Sequence, residues 1–288
     1  MLNPISTLPI VFGQSFLPQT LPRTPESSEV MSEETSVRQY DLAMESKLAI
    51  VYAGALMLIH QAARRQGGKA IDLCCGPGHF TLLLAKHFDF EEIIGIDLSE
   101  SMIQAANQNA KDWGLQDRVR FEVADAIDPP VADSSFSVVT CNDAAHHLPD
   151  LEHVERLLST MGRLCAADGT VLLTDLVRLK NQSVTDRYTY LIGQDYLDRG
   201  LDAFQADFCA SMQAAWTGEE LRSAVPGDSE SRRWSHREQR LLPTVQAIIG
   251  YPNDERPMRL RSTMPWTPET HPVPQSMRMD WQMFRRLL

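Results

Sequence analysis

Five short apolar segments alternate with longer helix-like stretches through the middle of the chain, and this alternation is the feature that most constrains the fold. The segments are residues 70–74, 93–97, 119–124, 136–141 and 170–175. Each suits a strand that is buried on both faces, and each intervening stretch suits a helix that returns the chain to the same end of the sheet. The pattern predicts an α/β fold with a doubly wound, mostly parallel sheet and helices on both faces.

The regions before and inside this pattern differ in composition. Residues 1–36 contain five prolines and a Ser/Glu-rich end, which predicts a disordered leader. Residues 37–227 are expected to form one domain that opens with a helix over 37–63. Six aromatic residues lie between positions 188 and 216, inside a helical insertion at 178–216. We interpret this insertion as a lid, although aromatic residues at helical spacing also suit ordinary core packing.

The C-terminal extension, residues 228–288, has a different charge from the rest of the chain. It contains ten arginines, no lysine and seven acidic residues. Residues 231–236 and the weak apolar stretch 241–249 are poor strand candidates. The pattern assigns no fold to this extension.

Charge, cysteines and apolar runs limit the partners of the chain. The formal net charge of -11 disfavours binding to nucleic acid, which requires a basic surface. The five cysteines follow neither a disulfide framework nor a zinc-binding spacing, so we expect reduced thiols, a cytoplasmic location and no metal site. The longest apolar run, residues 48–59, is shorter than the roughly 20 residues that span a bilayer. A small-molecule partner is the remaining expectation.

Four polar or glycine-rich motifs follow the first four predicted strands. Gly76 and Gly78 lie where the first strand turns into a helix, and Asp97 ends the second strand. Asp125 follows the third strand, and Asn142 follows the fourth. Because the carboxyl ends of parallel strands meet at one edge of a sheet, these loops are expected to form one ligand-binding crevice. A carboxylate in the position of Asp97 can accept two hydrogen bonds from a ribose diol.

These motifs, Asp-Leu-Cys-Cys-Gly-Pro-Gly, Gly-Ile-Asp-Leu-Ser, Ala-Asp-Ala and His-His-Leu-Pro, resemble those of class I methyltransferases that depend on S-adenosylmethionine (SAM). The resemblance is closest to the small-molecule group that includes ubiquinone and menaquinone C-methyltransferases. It implies a Rossmann-like fold, SAM as cofactor, and methyl transfer to a small molecule. The aromatic residues of the insertion, and not the resemblance, suggest an apolar or aromatic acceptor. The residues that it implies for SAM binding are Asp72, Cys74, Gly76, Gly78, Asp97, Leu98, Met102, Asp125, Ala126 and Asn142.

Catalytic residues are less defined by the sequence. Methyl transfer depends mainly on alignment of acceptor, methyl group and sulfur, so a general base matters only when the acceptor must lose a proton. His146 and His147 are the candidates for that base, because an unperturbed imidazole titrates near neutral pH. Packing of the loop after the fourth strand is the alternative role for either histidine.

Two other functions remain open at this point. One is a protein of the same fold that binds SAM without catalysis, as a regulatory module. The other, a NAD(P)-dependent oxidoreductase, also uses a glycine-rich turn and an acidic residue after the second strand. It is disfavoured because Thr81 stands where the dinucleotide motif has its third glycine, and because Pro77 lies inside the turn.

Overall fold

The computed structural model describes residues 4–26, 34–63, 67–238 and 244–253. In these ranges the α-helices are α1 (Pro4–Phe16), α2 (Glu34–Val51), α3 (Ala53–Ala62), α4 (His79–His87), α5 (Glu100–Asp112), α6 (Leu151–Leu164), α7 (Gln182–Leu197), α8 (Asp202–Ala214) and α9 (Gly218–Ser223). The strands are β1 (Lys69–Leu73), β2 (Glu92–Asp97), β3 (Val119–Val123), β4 (Phe136–Asn142), β5 (Cys165–Leu176), β6 (Arg232–Glu238) and β7 (Val245–Pro252).

The strands form one seven-stranded sheet in the order β3-β2-β1-β4-β5-β7-β6. Strands β1 to β5 are parallel to one another, whereas β7 runs antiparallel to both β5 and β6. The order reverses direction beside β1, so the carboxyl ends of β1 and β4 border a crevice where open α/β sheets bind ligands. The predicted fold class and its five parallel strands are confirmed.

Both faces of the sheet are buried under helices. Successive residues of a strand point to opposite faces, and here Ala70, Val138 and Leu172 pack with residues of α3 and α4. Their neighbours Ile71 and Val139 pack instead with α6 and α9. The near-continuous apolar character of the strands follows from this double burial, because no face is left for polar side chains.

Local signals in the sequence agree with the helix boundaries. The Ser99 hydroxyl accepts a hydrogen bond from the Met102 amide at 3.2 Å and caps α5, and Thr217 with Glu220 forms a capping box on α9. The single helix predicted over 37–63 is two helices, because the chain leaves helical hydrogen bonding at Tyr52. Within the described residues, no helix is both long and apolar enough to cross a membrane.

The predicted boundary at residue 227 is wrong, because the extension that follows contributes β6 and β7 to the sheet. Arg232 is buried, and its guanidinium donates to the carbonyl oxygens of Gly169, Cys165 and Ala166. These bonds allow a charged residue inside a strand that sequence patterns disfavour. The domain predicted over residues 37–227 therefore continues to residue 253, and residues 254–288 of the predicted extension lie outside the described part of the chain.

The predicted disordered leader, residues 1–36, is also wrong for residues 4–26 and 34–36. Helix α1 packs on α7, with Ile10 buried among Leu179, Val184 and Met212. Residues 17–26, which we call the N-terminal segment, continue across the protein in extended form. Backbone hydrogen bonds from Thr20 to Lys180 and from Thr24 to Gln213 fix this segment against the insertion. Its prolines are compatible with this role because an extended segment needs few amide donors.

The aromatic residues of the 178–216 insertion pack mainly against one another and the core. Helices α7 and α8 form most of this insertion, and the Tyr196 and Phe204 rings meet edge to face with centroids 4.7 Å apart. Trp216 is buried, and its Nε1 donates to the carbonyl oxygen of Ala145. Tyr190 is the exception, with 64% of its surface exposed. The interpretation of this insertion as a lid stays a prediction.

Candidate active site

The turn between β1 and α4 contains three left-handed residues. Cys74, Gly76 and Gly78 have φ angles of 54°, 52° and 77°. A Cβ on Gly78 would lie 2.6 Å from Cζ of Phe121, whereas a Cβ on Gly76 would meet only Cε1 of Tyr40, at 4.0 Å. Packing within the protein therefore requires glycine at position 78, while Gly76 borders open space where a ligand can approach the backbone.

Asp72 supports this turn from below. Its carboxylate is buried and accepts hydrogen bonds from the hydroxyls of Thr81 and Thr140, each at 2.7 Å. Burial raises the pKa of Asp72 to about 6, although the Thr81 and Thr140 hydroxyls and the Asn142 side chain act in the opposite direction. Asp72 thus joins β1, α4 and β4.

Asp97 organises the opposite side of the crevice. One of its carboxylate oxygens accepts from the Gly76 amide and the other from the Ser99 amide, both at 2.9 Å. Burial raises the pKa of Asp97 above its usual value. Each carboxylate oxygen can accept more than one hydrogen bond, so Asp97 retains acceptor capacity for a hydroxyl pair.

The ends of β2 and β3 expose apolar side chains beside Asp97. Leu98 and Val123 have 50% and 54% of their surfaces exposed, whereas Met102 in the first turn of α5 is buried. Asp125 is exposed and accepts from the Ile127 amide at 2.8 Å, and Ala126 is buried. This end of the crevice therefore has apolar walls and an available carboxylate, a combination that suits a heteroaromatic ring carrying an amine.

Asn142 provides a polar group at the end of β4. Its Oδ1 accepts from the Thr174 hydroxyl at 2.8 Å. Its buried Nδ2 makes no hydrogen bond of good geometry among the described residues, although the side chain is close enough to Asp72 to lower the pKa of that carboxyl. A buried donor that is incompletely satisfied is costly, and a ligand in the crevice can satisfy it. The thiol of Cys74 pairs with Cys141 beneath the same turn, and this contact, with burial, raises the pKa of Cys141.

These residues fit SAM. At or just beyond the carboxyl ends of the neighbouring strands β1, β2 and β4 lie the open backbone at Gly76, the carboxylate of Asp97, the exposed Leu98 and the amide of Asn142. The fold thus brings together the residues that the sequence proposed from four separate loops, except that Asp72, Met102 and Ala126 are buried and act from behind the crevice.

The two candidate bases lie in a 3₁₀ turn, Ala145–His147, that follows β4. Nδ1 of His146 lies 2.6 Å from Oδ1 of the buried Asp175, and Nδ1 of His147 lies 2.9 Å from Oε2 of Glu26. Burial lowers the pKa of His147, but the Glu26 carboxylate outweighs it, so the net pKa lies above the usual value. Each histidine is therefore oriented by its own carboxylate.

Sequence reasoning missed Arg23 and Glu26, which lie in the N-terminal segment. The Arg23 guanidinium donates to the carbonyl oxygens of His146, Leu148, Pro149 and Ala214, at 2.7–3.0 Å. It also lies 3.6 Å from the centroid of the Trp216 ring. No sequence signal links these residues to the turn after β4, because more than 100 positions separate them.

Comparison with known proteins agrees with this architecture. The family model described as a methyltransferase domain matches residues 64–225, which is more than half of the chain. A 27-O-demethylrifamycin SV methyltransferase from Amycolatopsis mediterranei is 38% identical over 108 residues, which are 36% of this chain and 39% of that protein. A 2-phytyl-1,4-naphtoquinone methyltransferase from Synechococcus elongatus is 27% identical over 161 residues, or 51% of this chain and 69% of that protein.

The matched region spans less than half the length of the first curated relatives. Among solved structures, one described as a SAM-dependent methyltransferase from Methanococcus maripaludis has a TM-score of 0.53 at 19% identity, over 81% of this chain and all of that chain. At this identity the likeness concerns the fold alone. The match of the family model over residues 64–225, together with the sheet order and the crevice, shows that this chain belongs to the methyltransferase domain family.

Proposed function

We propose that this chain transfers the methyl group of SAM to a small-molecule acceptor by in-line displacement. The observation that carries the proposal is the crevice in which Asp97 fixes the Gly76 turn while the space in front of Gly76 stays open. Membership of the methyltransferase domain family supports it.

Bound SAM would supply a methyl group on a sulfonium that is already a good leaving group. The protein's contribution is then to bind, align and exclude water, which accounts for most of the rate enhancement in such a transfer. We assign the ribose hydroxyls to Asp97 and the adenine ring to contacts with Leu98 and Met102. Asp125 and Ala126 are assigned to the amine edge of the adenine.

The methionine part of the cofactor is assigned to the turn after β1. Gly76 and Gly78 would pass beneath it, with Asp72 and Cys74 supporting their backbone. We assign the Nδ2 of Asn142 as a donor to this part of the cofactor, close to the transferred methyl group. A hydrogen bond from Nδ2 to the ligand would favour binding, because burial has removed this amide from solvent.

An apolar or aromatic acceptor is the class that we favour. The names of the relatives refer to a rifamycin, a naphthoquinone and a ubiquinone, which all contain conjugated rings. We further infer that the insertion covers such an acceptor as a lid. The scattered free cysteines support a reducing, cytoplasmic location for the reaction.

His146 and His147 stay candidate bases for an acceptor that must lose a proton. The proposal of methyl transfer does not require them, because alignment alone drives transfer to a neutral nucleophile.

The test is a methyl-transfer assay with a panel of hydroquinones, phenols and amines, with release of S-adenosylhomocysteine (SAH) as the readout. We expect release with at least one aromatic acceptor and its loss in Asp97→Ala. The matched control is Asp112→Ala, which removes an exposed carboxylate from the far end of α5. Binding of SAM without turnover on any acceptor would instead favour a regulatory SAM-binding protein.

A further inference from the structure

Three side chains from two distant parts of the chain meet beside the carboxyl end of β4. Glu26 belongs to the N-terminal segment, and His146 and His147 belong to the turn after β4. Their ligand-type atoms, one carboxylate oxygen and two imidazole nitrogens, all lie within 4.8 Å of one another. Two imidazoles with one carboxylate are a donor set that binds divalent transition metal ions such as Zn²⁺ and Fe²⁺.

The His146 ring is oriented by a carboxylate outside this set. Its Nδ1 lies 2.6 Å from Oδ1 of Asp175, and both side chains are almost completely buried. With the proton on Nδ1, the lone pair of Nε2 is available on the side of Glu26, whose Oε1 lies 3.8 Å away. Histidines that bind metals are commonly oriented by this carboxylate–imidazole pairing, which fixes the tautomer.

Glu26 is also held by groups other than the two histidines. The Ser211 hydroxyl donates to Oε1 of Glu26 at 2.7 Å. Three residues earlier, Arg23 ties the N-terminal segment to four carbonyl oxygens around the same turn. Two of the three donor side chains are therefore positioned in advance, which lowers the entropy cost of binding an ion.

The charges around the cluster favour a cation. Glu26 and Asp175 place two carboxylates against two imidazoles, and Oδ2 of Asp175 is buried without a hydrogen-bond partner among the described residues. The nearby guanidinium of Arg23 is bound to carbonyl oxygens, and that of Arg178 is paired with Glu220. Neither arginine therefore neutralises the two carboxylates directly.

We propose that Glu26, His146 and His147 bind one divalent transition metal ion of the Zn²⁺ class, and that this ion fastens the N-terminal segment to the turn after β4. Mg²⁺ is disfavoured because it prefers an all-oxygen shell. The inference uses none of the residues assigned to SAM, so it does not rest on the proposed function. It gives the histidines a role other than that of bases, because a nitrogen that binds an ion cannot accept a proton.

The experiment uses the full chain without an affinity tag, stripped of metal with a chelator and then dialysed. Zn²⁺ is titrated by calorimetry, and Co²⁺ is titrated by absorption spectroscopy to report the ligand type. We expect one ion per chain, with ligand-field bands of nitrogen and oxygen coordination. Glu26→Gln and His147→Ala should each weaken Zn²⁺ binding by at least about tenfold. Trypsin cleavage after Arg23 should slow when Zn²⁺ is added.

The matched control is His153→Ala, which removes a histidine that pairs with Asp150 at 2.7 Å in the same region but outside the cluster. It should bind Zn²⁺ as the wild type does. Ser211→Ala is a milder variant that removes only the support of Glu26, and it should weaken binding less than Glu26→Gln. The inference is overturned if folded wild type binds no ion, if Glu26→Gln and His147→Ala bind normally, or if the Co²⁺ spectrum shows thiolate charge-transfer bands from the cysteines.

Discussion

Replacement of Gly76 by alanine separates the requirements of the fold from those of the cofactor. Gly76 has a positive φ of 52°, and a Cβ built on it would meet only Cε1 of Tyr40, at 4.0 Å. Gly114, at the end of α5, also has a positive φ, of 66°, and a Cβ there would meet nothing within 4 Å. The two glycines thus impose similar backbone strain on an alanine, while only Gly76 borders the crevice.

The expected magnitudes follow from this difference. A left-handed alanine costs roughly 1–2 kcal/mol, so both variants should lose that much of the free energy of unfolding. For a domain of this size, each kcal/mol lowers the melting temperature by about 2–4 °C. In Gly76→Ala the added methyl would also intrude on bound SAM, at a cost of about 1–3 kcal/mol if it resembles overpacking of a core. That cost corresponds to a loss of affinity of roughly 5- to 150-fold.

The assay measures thermal unfolding and SAH affinity for the wild type and for both variants. We expect equal losses of melting temperature and a loss of SAH affinity in Gly76→Ala only. The reasoning is refuted if Gly76→Ala binds SAH as well as Gly114→Ala does. A much larger loss of stability in Gly76→Ala would show that the space in front of Gly76 is filled by the protein itself.

Three further predictions concern stability. Gly78→Ala should lower the melting temperature more than Gly114→Ala does, because its Cβ would lie 2.6 Å from the Phe121 ring, and unfolding scans compare the two. Arg23→Ala should lower the free energy of unfolding by about 2–4 kcal/mol, because it removes four charge-assisted hydrogen bonds and the contact with Trp216. Denaturant titrations measure this loss, and a value below about 0.5 kcal/mol would show that Arg23 does not fix the N-terminal segment. The raised pKa of Asp72, about 6, means that the folded state keeps the proton of this carboxyl to a higher pH than the unfolded state does. The carboxyl therefore contributes most to the free energy of unfolding below about pH 4, and this contribution is lost as the pH rises through 6. Asp72→Asn should therefore flatten the dependence of unfolding free energy on pH between about 4 and 7, and an unchanged slope would contradict the assignment.

The sequence predicts the parallel part of the sheet well because double burial leaves a strong trace in composition. Strands β2, β4 and most of β1 and β5 are apolar, whereas the edge strand β3 alternates apolar and charged residues, and the motifs at the strand ends identify the crevice. Strand β6 is different, since it carries Arg232, Arg233 and Arg237. Arg232 is satisfied by carbonyl oxygens of the β5 region, and Trp234 packs where Gly250 lacks a Cβ. The contacts that stabilise Arg232 and Trp234 come from residues distant in sequence, so the periodicity of β6 does not reveal them.

The candidate site also contains residues that the sequence could predict and residues that it could not. Asp97 and Gly76 act within local motifs, and their contact with each other follows from adjacent strands. Contacts of His146 with Glu26 and Asp175 connect the turn after β4 with the N-terminal segment and the end of β5. Of these three regions, only the turn after β4 contains a recognisable sequence motif. A proline-rich segment that binds to the domain by hydrogen bonds has the same kind of composition as a disordered one, so composition does not reveal the contact. The histidines could be identified as candidates, but their carboxylate partners could not.

The central claim, that the crevice binds SAM, is tested most directly by calorimetric titration of the purified chain with SAH, alongside Asp97→Ala. We expect one SAH per chain with a dissociation constant on the order of micromolar, which is about −8 kcal/mol of binding free energy. The account also predicts that Asp97→Ala abolishes measurable binding, because the carboxylate both fixes Gly76 and accepts the ribose hydroxyls. Folded wild-type protein that binds no SAH would contradict the account.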